Sequence, residues 1–112
     1  MGGSGAPAIL LGDFNFGPDQ AADRAAEEAL GAAGFVDVAA AVGNTEPTYP
    51  GDGNRYDRVY VRGGQGVGLT PMSARVDGTP EGRALSDHLL LATEVALKPR
   101  YSSPTELHAF EH

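Results

Sequence analysis

The sequence predicts a layered α/β (α+β) sandwich built around one hydrophobic core. Three observations lead to this class: a chain of 112 residues, strand-like apolar segments near both ends, and an alanine-rich amphipathic helix after the first of them. A chain of this length is a comfortable size for a single domain. Its hydrophobic content of 41% argues against compositional disorder, and no apolar run approaches the roughly 20 residues of a membrane-spanning helix.

The first predicted elements are a strand and a helix. Residues 8–11 form a short apolar run that ends at Gly12, as in a buried strand. The helix is predicted by small apolar residues at helical spacing, with charged residues on the opposite face. Pro18 and Asp19 suit its first turn, and Gly34 suits its end. The apolar stripe comprises Ala22, Ala25, Ala26, Ala29, Leu30 and Ala33. Because the stripe is nearly all alanine, we expect the helix to pack closely against the layer that it covers.

The middle of the chain is predicted to contain one ambiguous segment, one loop and one strand. Residues 35–42 fit either a short helix or a strand. Residues 43–54 are rich in Asn, Pro and Gly and are expected to be mostly loop, with residues 48–49 briefly extended. Residues 55–62 alternate in the manner of a strand.

Two further strands are expected in the last third of the chain. One is predicted at residues 69–76 and the other at residues 85–97, separated by a loop at 77–84. The second has a continuous apolar middle, Leu89–Leu91, which predicts a strand covered on both faces.

The folded domain is expected to span residues 8–98. Residues 1–7 lack the features of a secretory signal and are interpreted as a flexible lead-in or an expression remnant, and residues 99–112 as a loosely held tail. The absence of cysteine excludes disulfides and thiolate chemistry and fits a reducing cytoplasm. Fifteen acidic residues against eight basic ones give a net charge of −7. This charge gives no support to a nucleic-acid partner.

Polar clusters lie at the ends of three predicted strands: Gly12–Asn15, Arg55–Arg58 and Ser86–His88. Metal-assisted phosphate hydrolysis requires these groups, because hard oxygen ligands hold Mg²⁺, a base prepares water, and donors meet the charge on the phosphorus oxygens. Each cluster also has a structural interpretation. The first suits an ordinary turn, Asp57 suits a surface ion pair with a neighbouring arginine, and the third suits a capping turn with a solvated histidine.

The order and spacing of the clusters resemble a known family. Gly-Asp-Phe-Asn follows a strand and is followed in turn by a helix. After the helix come, in this order, Pro-Thr-Tyr-Pro, Arg-x-Asp-Arg-Val-Tyr-Val and Ser-Asp-His-Leu-Leu-Leu. Together they resemble the carboxy-terminal half of the endonuclease/exonuclease/phosphatase family, over about residues 9–97. The resemblance implies half of a four-layer sandwich, with one sheet and one main helix, and a metal-dependent phosphoesterase that hydrolyses a phosphodiester or a phosphomonoester. The Asp-Arg-Val-Tyr segment weakly resembles the tyrosyl-DNA phosphodiesterase-like branch.

The resemblance implies catalytic roles for four residues. Asp13 would orient or deprotonate the attacking water, and Asn15 would hold the scissile phosphate. His88 would donate to a phosphate oxygen and stabilise the transition state. Asp57 would fix the ring of His88 at hydrogen-bond distance.

The resemblance also implies a divalent cation and further substrate contacts. Mg²⁺ or Mn²⁺ would lie beside Asp87 and Asp13. Thr48 falls where the family often places a supporting hydroxyl, so it is an expected substrate-binding residue together with Asn15 and His88.

Several family residues have no counterpart before Ile9: an asparagine, the glutamate that is the main metal ligand, and another histidine. We therefore expect a catalytically incomplete half, completed by the missing amino-terminal half or by a second copy of the chain, with a phosphate ester as substrate and no membrane partner. His108 and His112 in the tail are interpreted as incidental. Two alternatives stay open. The chain is a non-catalytic binding or assembly module derived from such a half, or an unrelated small α/β domain with chance motifs.

A homodimer is expected from the distribution of apolar residues. Val59 and Val61 share one face of their strand, as Leu89 and Leu91 share one face of theirs. A single helix covers only one side of a sheet, and large apolar patches rarely stay exposed. A second copy would stand in for the absent half through a two-fold interface.

Overall fold

The computed structural model describes residues 5–17, 19–78 and 86–99. The elements in chain order are β1 (Ala8–Asp13), α1 (Ala21–Ala32), β2 (Val36–Asp37), α2 (Val38–Ala41), β3 (Asp57–Arg62), β4 (Val67–Asp77) and β5 (Leu90–Pro99). Most of the predicted 77–84 loop, the tail beyond Pro99, the first four residues and Pro18 lie outside the described residues. No helix in the described part is long and apolar enough to cross a membrane.

The strands form two antiparallel sheets rather than one. The first has the order β1-β3-β2 and the second pairs β4 with β5. This confirms the expected α/β class and corrects the expectation of a single sheet. The β1–β3 register runs from Ala8 opposite Arg62 to Asp13 opposite Asp57. Because directly opposed residues share a face, this register decides which side chains of the two strands lie together.

The second sheet separates from the first immediately after β3. Gly64 and Val67 form one isolated bridge, closed by hydrogen bonds of 2.9 and 3.0 Å, and β4 then pairs with β5 alone. The β4–β5 register shifts between Pro71 and Ser73. A proline has no N–H to donate to a ladder, so an irregularity at this point is physically reasonable. The strand predicted at 69–76 is thus confirmed and extends to 67–77.

The core lies where α2 packs against both sheets. Val38 and Ala39 of α2 are buried, as are Val61 of β3 and Ala74 of β4. Contacts join α2 to β3, β4 and β5. The carboxylate of Asp37 accepts a hydrogen bond from the N–H of Ala40 and so caps the start of this short helix. These contacts cover one face of β3.

The opposite face of β3 is covered by aromatic rings and by α1. Tyr60 is buried, and its ring lies 5.2 Å from that of Phe14 in an edge-on arrangement. The Arg58 guanidinium lies 5.1 Å above the ring of Phe16, and its NH1 is 3.1 Å from Glu27 of α1. β3 is therefore enclosed on both sides, which fixes its position beneath the site.

The predicted helix is confirmed, although it begins after Asp19 rather than including it. Its end is the expected one. Gly34 has a φ of 91°, the N–H of Phe35 donates to the carbonyl of Leu30, and the N–H of Gly34 donates to the carbonyl of Gly31. This pair of bonds is a Schellman motif, which needs a left-handed residue at Gly34.

The close packing expected of the alanine stripe is wrong, because no residue of α1 is buried. Within the stripe, Ala26 and Leu30 are half-buried, whereas Ala22, Ala25 and Ala29 are exposed. α1 meets β3 through a charged pair rather than through its methyl groups. Asp23 and Glu27 of the charged face are also half-buried, so the stripe did not identify the inward face of the helix.

Three other segments refine the prediction. The ambiguous 35–42 segment contains both elements, β2 followed by α2. The 43–54 loop includes an isolated bridge between Tyr49 and Asn54. The last strand begins at Leu90 rather than at residue 85, and Leu90 is 59% exposed in the single chain.

Candidate active site

Two acidic side chains meet at one end of the three-stranded sheet. Asp13 is the last residue of β1, Asp57 is the first residue of β3, and the two are directly opposed in the register. They share a face with Leu11 and Val59, because these residues are also directly opposed and lie two positions along each strand. The strand pairing itself therefore brings together two carboxylates that are 44 positions apart in the sequence.

His88 completes the cluster from the turn that precedes β5. Its Nδ1 lies 2.6 Å from Oδ2 of Asp57, so the hydrogen bond expected between these two residues is present. Its Nε2 faces Oδ2 of Asp13 at 3.7 Å, which is too long for a direct hydrogen bond. The His88 side chain is 28% exposed and that of Asp13 is 49% exposed. Solvent and small ligands therefore reach the space between them.

The arginines that flank Asp57 are paired with other carboxylates. Arg55 makes a two-pronged contact with Asp37, with NH1–Oδ1 and NH2–Oδ2 distances of 3.2 and 2.7 Å. Arg58 pairs with Glu27 across the opposite face of β3. The interpretation of Asp57 as the partner of a neighbouring arginine is therefore not supported, and its carboxylate is directed to the imidazole.

The surroundings of the imidazole favour its charged form. The hydrogen bond that the Asp57 carboxylate accepts raises the pKa of His88 above its ordinary value, against the opposing effect of burial, and the negative charges of Asp57, Asp13 and Asp87 raise it further. The protonated ring carries N–H groups on both nitrogens. Nδ1–H then donates to Asp57, and Nε2–H is directed toward the open space beside Asp13. This arrangement suits a donor to an anion rather than a base.

Asn15 stands at the rim of the site in a left-handed conformation with a φ of 56°. Its N–H donates to Oδ1 of Asp13 at 2.9 Å, which closes the turn after β1. Asparagine tolerates this conformation better than most other residues. Asn15 is exposed, so its side chain is accessible to a ligand.

Thr48 lies beneath the site rather than at its surface. It is fully buried, and its hydroxyl oxygen accepts hydrogen bonds from the N–H groups of Tyr56 and Asp57 at 3.2 and 3.0 Å. Its carbonyl accepts from the N–H of Leu89 at 2.6 Å. A substrate contact, as predicted for Thr48, does not fit this burial. The residue instead ties the backbone of Asp57 to the segment that carries His88.

Of the two residues predicted to lie beside a metal, Asp13 belongs to a group of possible ligand atoms and Asp87 lies beside it. Asp13, Asp57 and His88 each offer a ligand atom, and these atoms all lie within 4.8 Å of one another. Asp87 is exposed and is not a member of this group; it lines a neighbouring recess. The two carboxylates offer the hard oxygen donors that Mg²⁺ and Mn²⁺ accept. A divalent cation therefore fits the donor chemistry, with Asp13 as the most accessible of the three ligands.

Two features next to the cluster were not identified from the sequence. The ring of Tyr49 lies 5.1 Å from that of His88 and 5.8 Å from that of Tyr56. The other feature is the contact of Arg55 with Asp37, which holds the chain that enters β3. The position of Tyr49 beside Thr48 was the available signal for the first. No local pattern linked the second pair, because its members are 18 residues apart.

A family model described as the Endonuclease/Exonuclease/phosphatase family matches residues 2–88. No curated protein and no solved structure matches the chain. The matched segment contains the whole cluster, from Asp13 on β1 to His88 at its last position.

Proposed function

The chain belongs to the endonuclease/exonuclease/phosphatase family, and we propose that its carboxylate–imidazole cluster is the phosphate-handling part of a metal-dependent phosphoesterase. Members of this family are generally hydrolases of phosphate esters. The observation that carries the proposal is the 2.6 Å hydrogen bond between His88 and Asp57, with the free side of the ring turned toward Asp13. The phosphoryl group would bind in the space between Asp13 and the imidazole.

His88 acts as the donor to the phosphoryl group. The hydrogen bond with Asp57 fixes the orientation of the ring, and the nearby carboxylates raise the pKa of His88, which favours the charged form of the ring. A positioned cationic N–H stabilises the transition state most where negative charge increases during the reaction. Asp57 is a positioning residue, because it acts through the imidazole.

Asp13 orients or deprotonates the attacking water. Its Oδ2 and the Nε2 of His88 are 3.7 Å apart, so an oxygen atom placed beside them can lie within hydrogen-bond distance of both. Asn15 follows two residues later, and its exposed carboxamide can hold the phosphoryl oxygens. The turn closed by the Asn15 N–H and the Asp13 carboxylate keeps this carboxylate in a fixed relation to the backbone of Asn15.

A divalent cation, Mg²⁺ or Mn²⁺, would be held by Asp13, with Asp87 as the second carboxylate proposed from the sequence. When bound, the cation neutralises charge on the phosphoryl oxygens. The described residues supply few ligands for it, and Mg²⁺ gives up its water shell reluctantly. We therefore propose that the isolated chain is a catalytically incomplete half, with weak cation affinity.

Phosphate binding tests this function separately from turnover. ¹⁵N-labelled chain is titrated with inorganic phosphate in the presence of Mg²⁺, and the resonances of Asn15 and His88 are followed. We expect saturable shifts at both residues, lost in His88→Ala and kept in the matched control His108→Ala. Shifts of the same size in His88→Ala would remove the cluster as a phosphate site and reject the proposal.

A second candidate function is a binding or assembly module, and exposed apolar side chains favour it. Leu11 of β1 is 73% exposed and Leu90 of β5 is 59% exposed. Both line a groove of about 210 Å³ that also includes Val59. Exposed apolar surface of this kind marks interaction sites in soluble proteins. We propose a second copy of the chain as the occupant, because a two-fold interface would bury the same apolar strand edge of both partners.

A further inference from the structure

A recess of about 240 Å³ opens directly beside His88. Its lining combines one aromatic ring, two small backbone segments and polar groups at the rim: Tyr49, Pro50, Gly51, Ser86, Asp87 and Leu89. Two of these residues flank His88 in the sequence, and the ring of Tyr49 lies 5.1 Å from the imidazole. A group bound in the recess would therefore be adjacent to a phosphoryl group at the imidazole.

The ring of Tyr49 is held in place by its neighbours. It packs between the imidazole of His88 and the ring of Tyr56, with centroid distances of 5.1 and 5.8 Å. The backbone of Gly51 passes so close beneath it that a Cβ at this position would lie 2.6 Å from a ring carbon. Only glycine permits this approach. The ring is thus a pre-positioned wall, which lowers the entropic cost of binding a ligand against it.

The chemistry of the recess favours a planar uncharged group. No lysine or arginine is among its described lining residues, and Asp87 places a carboxylate at the rim, so a second phosphate is disfavoured there. An ammonium group is usually bound by several aromatic faces, whereas the described lining residues of this recess include a single ring. Tyr49 and Leu89 together offer an aromatic face and an apolar edge, which is the environment in which flat rings stack.

We propose that this recess binds the organic group of the phosphate ester and selects a single aromatic ring or base. The proposal rests on the phosphate site at His88 described above. The volume is below the roughly 300 Å³ from which pockets for drug-sized ligands start, so one ring system fits and a chain of them does not. Tyr49 is the specificity-determining residue, because it supplies the stacking face.

The test compares two esters that differ only in the organic group. Phenyl phosphate and methyl phosphate are titrated into the ¹⁵N-labelled full chain with Mg²⁺, followed by the amides of Tyr49, Gly51 and Leu89. We expect phenyl phosphate to bind about threefold to tenfold more tightly, the range that an aromatic pair contributes beyond its buried area. Tyr49→Leu should abolish this preference and Tyr49→Phe should retain it, with Tyr101→Leu as the matched control.

Every outcome of this comparison is decisive. Equal affinity of the two esters, or a preference that survives Tyr49→Leu, overturns the proposal. Binding of phosphocholine as tight as that of phenyl phosphate overturns it too, since the recess would then recognise a cation. Binding of inorganic phosphate distinguishes a failure of the recess proposal from a failure of the proposed function. If phosphate binding still requires His88, only the proposal for the aromatic recess is refuted. If no phosphate binds at His88, both proposals fail.

Discussion

Asp57→Asn is the sharpest perturbation of the site, because it removes one charge and keeps the shape of the side chain. The carboxylate lies 2.6 Å from Nδ1 of His88. An asparagine carbonyl still accepts a hydrogen bond from Nδ1–H, so the geometry is preserved while the ion pair is lost. We expect the pKa of His88 to fall toward its ordinary value, since the hydrogen bond to the Asp57 carboxylate is the largest cause of its elevation.

The stability effect follows from the strength and the exposure of the contact. A hydrogen bond to a charged group contributes about 1.5 to 3 kcal/mol, and exposed ion pairs contribute about 0 to 1 kcal/mol. The side chains of His88 and Asp57 are 28% and 22% exposed, so their contact is neither fully buried nor fully exposed. We therefore expect Asp57→Asn to lower the free energy of unfolding by about 1 kcal/mol. The folded pKa of His88 is raised, so this stability is fully present below the unfolded pKa of about 6.5. It is lost as the pH rises through the folded pKa.

The assay has two readouts. Ring resonances of the histidines are titrated by NMR, in which His108 and His112 serve as internal references, and urea unfolding is measured at pH 6 and pH 9. The free energy of unfolding of the variant should differ from that of the wild type more at pH 6 than at pH 9. An unchanged titration of His88, or an equal loss of stability at both pH values, would refute the reasoning that Asp57 holds the protonated ring.

Three other predictions follow from the same contacts. The isolated chain should hydrolyse bis(p-nitrophenyl) phosphate with Mg²⁺ or Mn²⁺ no faster than His88→Ala does, and clear activity above that variant would contradict the proposed incompleteness. Thr48→Val should cost about 1 to 3 kcal/mol in urea unfolding, because the N–H groups of Tyr56 and Asp57 lose their acceptor; Thr48→Ser, which keeps the hydroxyl, is the control. Sedimentation at tens of micromolar should show a homodimer that Leu11→Glu dissociates, and a wild-type monomer would exclude this assembly.

The sequence predicted the strands better than it predicted the burial of the first helix. Alternation and turn residues locate β1, β3 and β4, since these signals are local. The burial of a helix depends on what packs against it, so the exposed alanines of α1 could not be foreseen. The separation into two sheets has the same origin, because it depends on whether β4 pairs with β3 or with β5.

The residues of the candidate site also differ in how well the sequence predicted their contacts. Asp57 and His88 were paired correctly because the resemblance supplied the long-range contact, and the structure has the hydrogen bond. Thr48 lies next to the site, as predicted, but it is buried rather than open to a substrate. The neighbouring sequence does not show that its hydroxyl accepts hydrogen bonds from two backbone N–H groups. The wall formed by Tyr49 escaped prediction because its packing against the imidazole joins segments 39 positions apart.

The backbone positions of the imidazole–carboxylate pair are set by contacts with Thr48, which is not among the possible cation ligands. The Thr48 hydroxyl holds the N–H of Asp57, and the Thr48 carbonyl holds the N–H of Leu89, the residue after His88. One buried residue therefore sets the backbones of both partners, while the β1–β3 register brings Asp13 to them. A shortage of cation ligands would then weaken the neutralisation of phosphoryl charge without disturbing the orientation of the ring. Phosphate binding and hydrolysis consequently measure different parts of this site: the first depends on the pair already formed, and the second on the ligands that complete it.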